Sequence, residues 1–126
     1  MIKPGEIVIK DPQVLVGLME RRFSPLLILI ISQVAKDYGL TITESYREPR
    51  HSGDVHSTQP VRAVDLRSWD YPPGVAGHIA NEINSRWSYD PARPEKLVAL
   101  LHEVRGGGGL HFHIQVHPNT VRRSNG

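Results

Sequence analysis

The sequence contains no cysteine among its 126 residues. Disulfide bridges and thiolate metal sites are therefore excluded, and any bound metal ion must be held by His, Asp or Glu side chains. A strong excess of one charge is also lacking, because 15 Lys and Arg residues stand against 13 Asp and Glu residues and leave a net charge of +2. Scattered basic residues with so small an excess do not favour nucleic-acid binding.

Long apolar runs are missing as well. The longest is the six-residue stretch from Leu26 to Ile31, far short of the roughly 20 residues that cross a bilayer as a helix. The N-terminal segment MIKPGEIVIK lacks the apolar centre and the small-residue cleavage site of a signal peptide. We therefore expect no membrane span, and synthesis in the cytoplasm without a signal peptide.

The length and the hydrophobic fraction of 39% are those of one ordinary globular domain. We expect residues 1–126 to form a single domain and the protein to be a monomer. A polar segment between two predicted strands, residues 47–60, is rich in Pro, Gly, Ser, His and Asp. It is predicted to be a loop, and long loops in compact domains are often functional.

Helix and strand signals are interspersed, which predicts an α+β fold in which a small antiparallel sheet packs against two or three helices. Ser24 and Pro25 are typical of a helix start, and Gly39 is typical of the residue after a helix end, so a helix is predicted from Pro25 to Tyr38. The other predicted elements are an earlier helix opened by Asp11-Pro12 and running through Glu20, a helix from Pro72 to Trp87, and strands at residues 41–46, 63–67, 97–104 and 110–117.

The last predicted strand alternates strictly between apolar and polar residues. Leu110, Phe112, Ile114 and Val116 fall on one face, and His111, His113, Gln115 and His117 fall on the other. Three of the seven histidines thus share one face of one strand, which indicates a site. His-x-His on a strand allows one ring to bind a metal ion while the other stands beside it.

A second His and Asp pair makes the metal interpretation stronger. His56 lies near the end of the polar loop, and Asp65 lies in the apolar run Ala-Val-Asp-Leu. A carboxylate buried in a strand is unfavourable unless it is paired or binds a metal ion. The alternative is an ion pair of Asp65 with Arg62 or Arg67.

The order of these motifs resembles that of a known enzyme family across residues 41–117. The three parts are Ser45-Tyr46-Arg47, then His56 followed by Ala63-Val64-Asp65, then His111-Phe112-His113. They resemble the zinc D-alanyl-D-alanine carboxypeptidases and the phage L-alanyl-D-glutamate endopeptidases, which share a fold with the hedgehog signalling domain. The resemblance implies a zinc ion held by His56, Asp65 and His113, with Arg47 binding a substrate carboxylate or carbonyl.

The sequence departs from the family pattern at three places. His56 and Asp65 are nine positions apart where the family usually has seven, and Asp54 stands where the family has a serine. Leu110 stands three positions before His113, where many members carry the catalytic Asp or Glu. The residue that transfers protons must therefore lie elsewhere.

Three residues could supply that group. We expect His111 first, because a histidine beside the metal can give a proton to the leaving amine and stabilise the oxyanion. Glu103 comes second and could lie beside His111 or its neighbours, depending on the register of the hairpin. Its alternative role is an ion pair with Arg105 or another base, and His102, on the face opposite to Glu103, is the remaining option. Arg47 also has an alternative role, as a surface pair with Glu44 or Glu48.

Two functions are compatible with the sequence. The first is zinc-dependent hydrolysis of an amide bond in the peptidoglycan stem peptide, of D,D-carboxypeptidase or L,D-endopeptidase type. On this hypothesis the protein is of phage or prophage origin and acts on the cell wall after release or as a virion component. The second is a zinc-binding or structural phage module of the same fold with weak or no activity, which the leucine at position 110 favours.

Overall fold

A computed structural model describes residues 2–103 and 110–124, and its architecture is α+β as predicted. The predicted strand end at Val104, Arg105 and the glycine run from Gly106 to Gly109 lie outside the described residues. In chain order the elements are β1 (Ile7–Ile9), α1 (Pro12–Glu20), α2 (Pro25–Tyr38), β2 (Leu40–Glu44), β3 (Ala63–Arg67), α3 (Val75–Arg86), β4 (Trp87–Ser88), β5 (Ala99–Glu103), β6 (Leu110–Gln115) and β7 (Val121–Arg122).

The first two helices begin where their capping residues predict. The Asp11 carboxylate accepts a hydrogen bond from the Val14 backbone N–H at 3.0 Å, and the Ser24 hydroxyl accepts one from the Leu27 N–H at 3.5 Å. Gly39 follows α2 with a φ of 77°, a conformation that favours glycine. The cap signals in the sequence were therefore sufficient to fix these two starts.

Other boundaries differ from the prediction. α3 begins at Val75 after Gly74 instead of at Pro72, and Trp87 opens the short strand β4 instead of closing the helix. The strand predicted to reach Tyr46 ends at Glu44, where β2 and β3 shift register. The chain thus leaves the sheet before Ser45, and this places Ser45 and Arg47 in the loop that approaches the site.

Five strands form the main sheet in the order β1-β2-β3-β6-β5. β1 and β2 are parallel, because α1 and α2 form the crossover between them, and the remaining pairs are antiparallel. β3 and β6 pair Asp65 with His113 and Arg67 with His111. Residues paired in this way point to the same face of a sheet, so the register collects the predicted site residues on one face.

The opposite face of the sheet forms the core against α2 and α3. Phe112, Ile114 and Val116 are buried, as the alternation predicted, whereas Leu110 at the start of β6 is 48% exposed. The helices contribute Leu27, Ile30 and Val34 from α2 and Ile79, Ala80 and Ile83 from α3. None of the helices in residues 2–103 and 110–124 is both long and apolar enough to cross a membrane.

Candidate metal centre

His56, Asp65 and His113 meet on the polar face of the sheet. The Nδ1 atom of His113 lies 2.8 Å from Oδ1 of Asp65, and the Nε2 atom of His56 lies 3.5 Å from the same oxygen. One ligand atom from each residue falls within 4.8 Å of the other two, so this group could hold a metal ion. Asp65 contacts these histidines and not Arg62 or Arg67, so the alternative ion pair is not formed.

His56 is oriented by a backbone carbonyl. Its side chain is 1% exposed, and its Nδ1 atom lies 2.9 Å from the carbonyl oxygen of Ser45. Because a carbonyl oxygen only accepts hydrogen bonds, Nδ1 carries the hydrogen and the lone pair of Nε2 faces Asp65. Metal-binding histidines generally have their second nitrogen held in this way.

His113 is oriented by the side chain of Gln115. The Gln115 amide nitrogen donates to the carbonyl of Leu97 at 2.9 Å, which turns Oε1 of Gln115 toward Nε2 of His113 at 3.0 Å. An amide oxygen accepts only, so Nε2 of His113 carries the hydrogen and Nδ1 faces Asp65. In its neutral form each histidine therefore directs a nitrogen lone pair at Asp65, and a second proton on either ring would be donated to that carboxylate.

Asp65 is ionised in this arrangement. Burial alone would raise the pKa of its carboxyl group, but hydrogen bonds and positive charge supplied by His113 and His56, when their rings carry the second proton, outweigh burial and hold the pKa below its usual range. Two nitrogen lone pairs and a carboxylate repel one another unless a cation lies among them. A proton on one histidine can join two of these groups, whereas a metal ion can join all three.

The loop that carries His56 is held by Asp54. This carboxylate accepts hydrogen bonds from Nε and Nη2 of Arg47, at 3.1 and 3.2 Å, and from the backbone N–H groups of Arg50 and His56. Nη1 of Arg47 donates to Glu44 at 3.0 Å. Of the two surface partners considered for Arg47, Glu44 is therefore found, and Asp54 is a partner that sequence reasoning missed.

We expect Asp54→Asn to destabilise the protein at pH 7 by about 1 to 2 kcal/mol. Burial raises the pKa of Asp54, but the hydrogen bonds from Arg47 and from the backbone outweigh it and lower the pKa to about 2. The folded-state pKa is below the unfolded value of about 3.9. The stabilisation is therefore complete above about pH 4 and is lost as the pH falls through about 2.

Urea unfolding of the metal-free chain at pH 7 and pH 2.5 tests this expectation. The difference between the wild type and Asp54→Asn should shrink at the lower pH. Glu48→Gln, an exposed carboxylate of the same loop, is the matched control and should change little at either pH. An equal difference at both values would show that the carboxylate charge of Asp54 does not support the loop.

Helix α1 supports the carbonyl that orients His56. The Ser45 hydroxyl donates to the carbonyl of Val14 in α1 at 3.0 Å, and Ser45 is 1% exposed. Gly17 lies against this contact, and a Cβ atom added to Gly17 would be 2.5 Å from the Ser45 hydroxyl oxygen. The close approach of α1 to Ser45 therefore requires a residue without a side chain at position 17.

We expect Gly17→Ala to destabilise the protein by about 1 kcal/mol, the cost of overpacking exceeding the gain in helix propensity. It should also weaken metal binding about tenfold, because the shift of Ser45 reorients His56. Gly77→Ala is the matched control, since nothing lies within 4 Å of the added atom in α3. Thermal unfolding and metal titration check both variants, and an unchanged metal affinity in Gly17→Ala would contradict the link through Ser45.

The hairpin register decides which residues stand beside His113. β5 and β6 pair His102 with His111 and Glu103 with Leu110. Glu103 is therefore opposite Leu110, the neighbour of His111, and not opposite His111 itself. His102 occupies that position, with ring centroids 6.0 Å from His111 and 6.5 Å from His113.

Two open pockets flank the metal centre on the polar face. The larger, of about 400 Å³, is lined by residues including His56, His113 and Arg47. The smaller, of about 260 Å³, is lined by residues including Asp65, His111 and Trp69. His56 and His113 thus line the larger pocket, and Asp65 lines the smaller one.

The aromatic residues after β3 have different roles. Trp69 is 72% exposed and stacks on the guanidinium of Arg67, whose Cζ atom lies 4.3 Å from the ring centroid, so it can form a wall of the smaller pocket. Tyr71 is buried and donates its hydroxyl to the carbonyl of Gly39 at 2.7 Å. Trp69 therefore contributes to the site, whereas Tyr71 supports the fold.

No protein-family model matches the chain. No curated protein and no solved structure matches it either.

Proposed function

We propose that this protein is a zinc-dependent hydrolase that cleaves an amide bond in the stem peptide of peptidoglycan. The observation that carries the proposal is the convergence of His56, Asp65 and His113, within 4.8 Å, between two open pockets. Each histidine has its second nitrogen held by a protein oxygen, as expected for a metal ligand. Packing alone would not require both histidines to be oriented toward the same carboxylate.

The donor set favours zinc. Two imidazole nitrogens and one carboxylate oxygen form the kind of three-ligand set that catalytic zinc sites use, with a further position open to water or substrate. The chain offers no thiolate, which disfavours sites built for softer metals. Zinc bound in this way lowers the pKa of a coordinated water and polarises a carbonyl group.

Other residues near the centre would transfer protons or position the ligands. His111 lies on the same face as His113, two positions away on β6, and is exposed in the smaller pocket. Its imidazole can hold a proton and deliver it to the leaving amine, while His102 next to it can share that proton. Arg47 holds Asp54 and thereby the loop of His56, so it acts as a positioning residue.

The substrate class rests on the resemblance of the motifs to zinc carboxypeptidases and endopeptidases of the cell wall. The open pockets on both sides of the metal centre support a substrate that continues in both directions. A phage or prophage origin, with action on the cell wall after release or as a virion component, belongs to the same proposal.

A second candidate function is zinc binding without catalysis, as in a structural phage module. Leu110 favours it, because this position carries no carboxylate and the leucine is 48% exposed. In that case the metal ion would stabilise the loop of His56 against the sheet and His111 would have no role in proton transfer.

The experiment that separates the two uses the full chain loaded with zinc and purified peptidoglycan. We expect one zinc per chain and the release of new amino groups, which stops when zinc is removed by a chelator and returns when zinc is added. One equivalent of zinc without released amines across several pH values would favour the second function. A chain that binds no zinc would overturn both.

A further inference from the structure

The larger pocket beside the metal centre is strongly basic. Four of its lining residues are cationic and one is a carboxylate, namely Arg47, Arg62, Arg93, Lys96 and Asp54. The pocket is open and adjoins the metal ligands His56 and His113. An excess of positive charge in a concave site attracts anionic ligands and raises their local concentration.

Only part of this charge is neutralised by the protein. Arg47 is held by Asp54 and Glu44, and Arg93 pairs with Asp90 at 2.9 Å. Within the described part of the chain, neither Arg62 nor Lys96 has a carboxylate within ion-pair distance. These two cations are therefore available to a ligand in the pocket.

Arg62, and the residue that follows Lys96, are hydrogen-bonded to β6 or to the residue just after it. The Arg62 N–H donates to the carbonyl of Val55 at 3.1 Å, and its carbonyl accepts from the N–H of Val116 at 2.9 Å. Lys96 precedes Leu97, whose carbonyl accepts from the Gln115 side chain that orients His113. A ligand that binds both cations is thus placed relative to the metal centre.

His117 adds a neutral hydrogen-bond donor to the same pocket. Burial lowers the pKa of His117, and the nearby charges of Arg62 and Arg93 lower it further. Its Nδ1 atom accepts from the N–H of Asn119 at 3.0 Å, so the neutral ring carries its hydrogen on Nε2. The pocket therefore presents cations and an N–H donor, which are the groups that bind a carboxylate.

We propose that this pocket is the substrate-carboxylate subsite, in which Arg62 and Lys96 bind a carboxylate of the peptide. The inference rests on the proposed function, because it assigns the anion to the substrate of the hydrolase. It moves the role that the resemblance gives to Arg47 onto two other residues. The reason is that the guanidinium of Arg47 already faces two protein carboxylates.

The test compares N-acetyl-D-alanyl-D-alanine with its C-terminal carboxamide in calorimetric titrations of the full chain. Titrations with zinc bound and after chelation separate binding by the pocket from binding by the metal. We expect the acid to bind about tenfold more tightly than the amide in both states, the effect of one charge-assisted hydrogen-bonded contact. Arg62→Gln and Lys96→Gln should each remove most of that preference.

Lys36→Gln is the matched control, since it removes the same charge from an exposed position on α2, the helix packed on the other face of the sheet. It should keep the preference for the acid. Lys96 is exposed, so its variant is expected to fold even where Arg62→Gln does not. Measurements of the unfolding temperature and the zinc content show whether Arg62→Gln and Lys96→Gln are folded and keep the metal.

Equal binding of acid and amide by the wild type would overturn the subsite, and so would a preference that survives in both variants. A preference that disappears on chelation would also overturn it, because the metal would then be the carboxylate receptor. These outcomes are independent of amine release from peptidoglycan. A chain that prefers the acid but releases no amines would retain the subsite and lose the proposed hydrolysis.

Discussion

His113→Ala is expected to lose zinc, with an affinity lowered by more than about 100-fold, the upper range found when only an outer partner of a metal ligand is removed. His113 supplies one of three converging ligand atoms, and its ring also contacts the carboxylate of Asp65. Without it, the remaining nitrogen of His56 and the carboxylate cannot complete the set of three that zinc uses. Amine release from peptidoglycan should fall in parallel with the zinc content.

Elemental analysis after dialysis against dilute zinc measures the loss directly. His78→Ala is the matched control, because His78 is an exposed histidine of α3 paired with Glu82 at 2.7 Å. It should retain one zinc per chain. Full zinc content in His113→Ala would show that the ion binds elsewhere and would remove the basis of the proposed function.

A variant of Gln115, the residue that orients His113, is expected to have a smaller effect on zinc binding. Gln115→Leu keeps His113 but removes the oxygen that holds its Nε2 hydrogen. We expect zinc affinity to fall about 10- to 100-fold, less than in His113→Ala, because the ligand remains while its orientation is no longer fixed. An unchanged affinity would mean that Gln115 has no part in preparing the ligand.

The sequence was sufficient to predict the residues of the candidate metal centre, for a physical reason. Strict alternation in β6 fixes which side chains share a face once one face is buried, and the buried positions Phe112 and Ile114 leave no other choice. A carboxylate in the apolar strand β3 has few stable environments, so Asp65 indicated a partner before any partner was known. These are local constraints that one chain segment carries by itself.

The register of β5 against β6 could not be predicted in this way. The two strands are joined through the segment between Glu103 and Leu110, and a shift of one residue would exchange His102 and Glu103 beside His111. The same limit applies to Arg47, whose partner Asp54 follows seven residues later in an irregular loop. Contacts set by loop geometry leave no periodic signal in the sequence.

The shortest strands were also missed. β1 has three residues and pairs in parallel with β2 across both α1 and α2. β4 and β7 have two residues each and form a separate two-stranded sheet. Segments this short show no measurable alternation, and their pairing depends on where the helices place their ends.

The second large effect is expected for His111→Ala, which should keep one zinc per chain and lower the rate of amine release by about 10²- to 10⁴-fold. His111 pairs with Arg67 on β3 and lines the smaller pocket, next to the metal ligands and outside their set of three. In the proposed mechanism, loss of its imidazole removes the group that gives a proton to the leaving amine. The ligand atoms themselves are untouched.

His102→Ala is the variant that tests whether the two histidines act together. If His102 shares the proton with His111, the double variant should be scarcely slower than His111→Ala alone, since groups that act as a unit are not additive. If they act separately, the two losses should multiply. Full activity in His111→Ala with loss in His102→Ala would assign proton transfer to His102, because the register places it, and not Glu103, beside the centre.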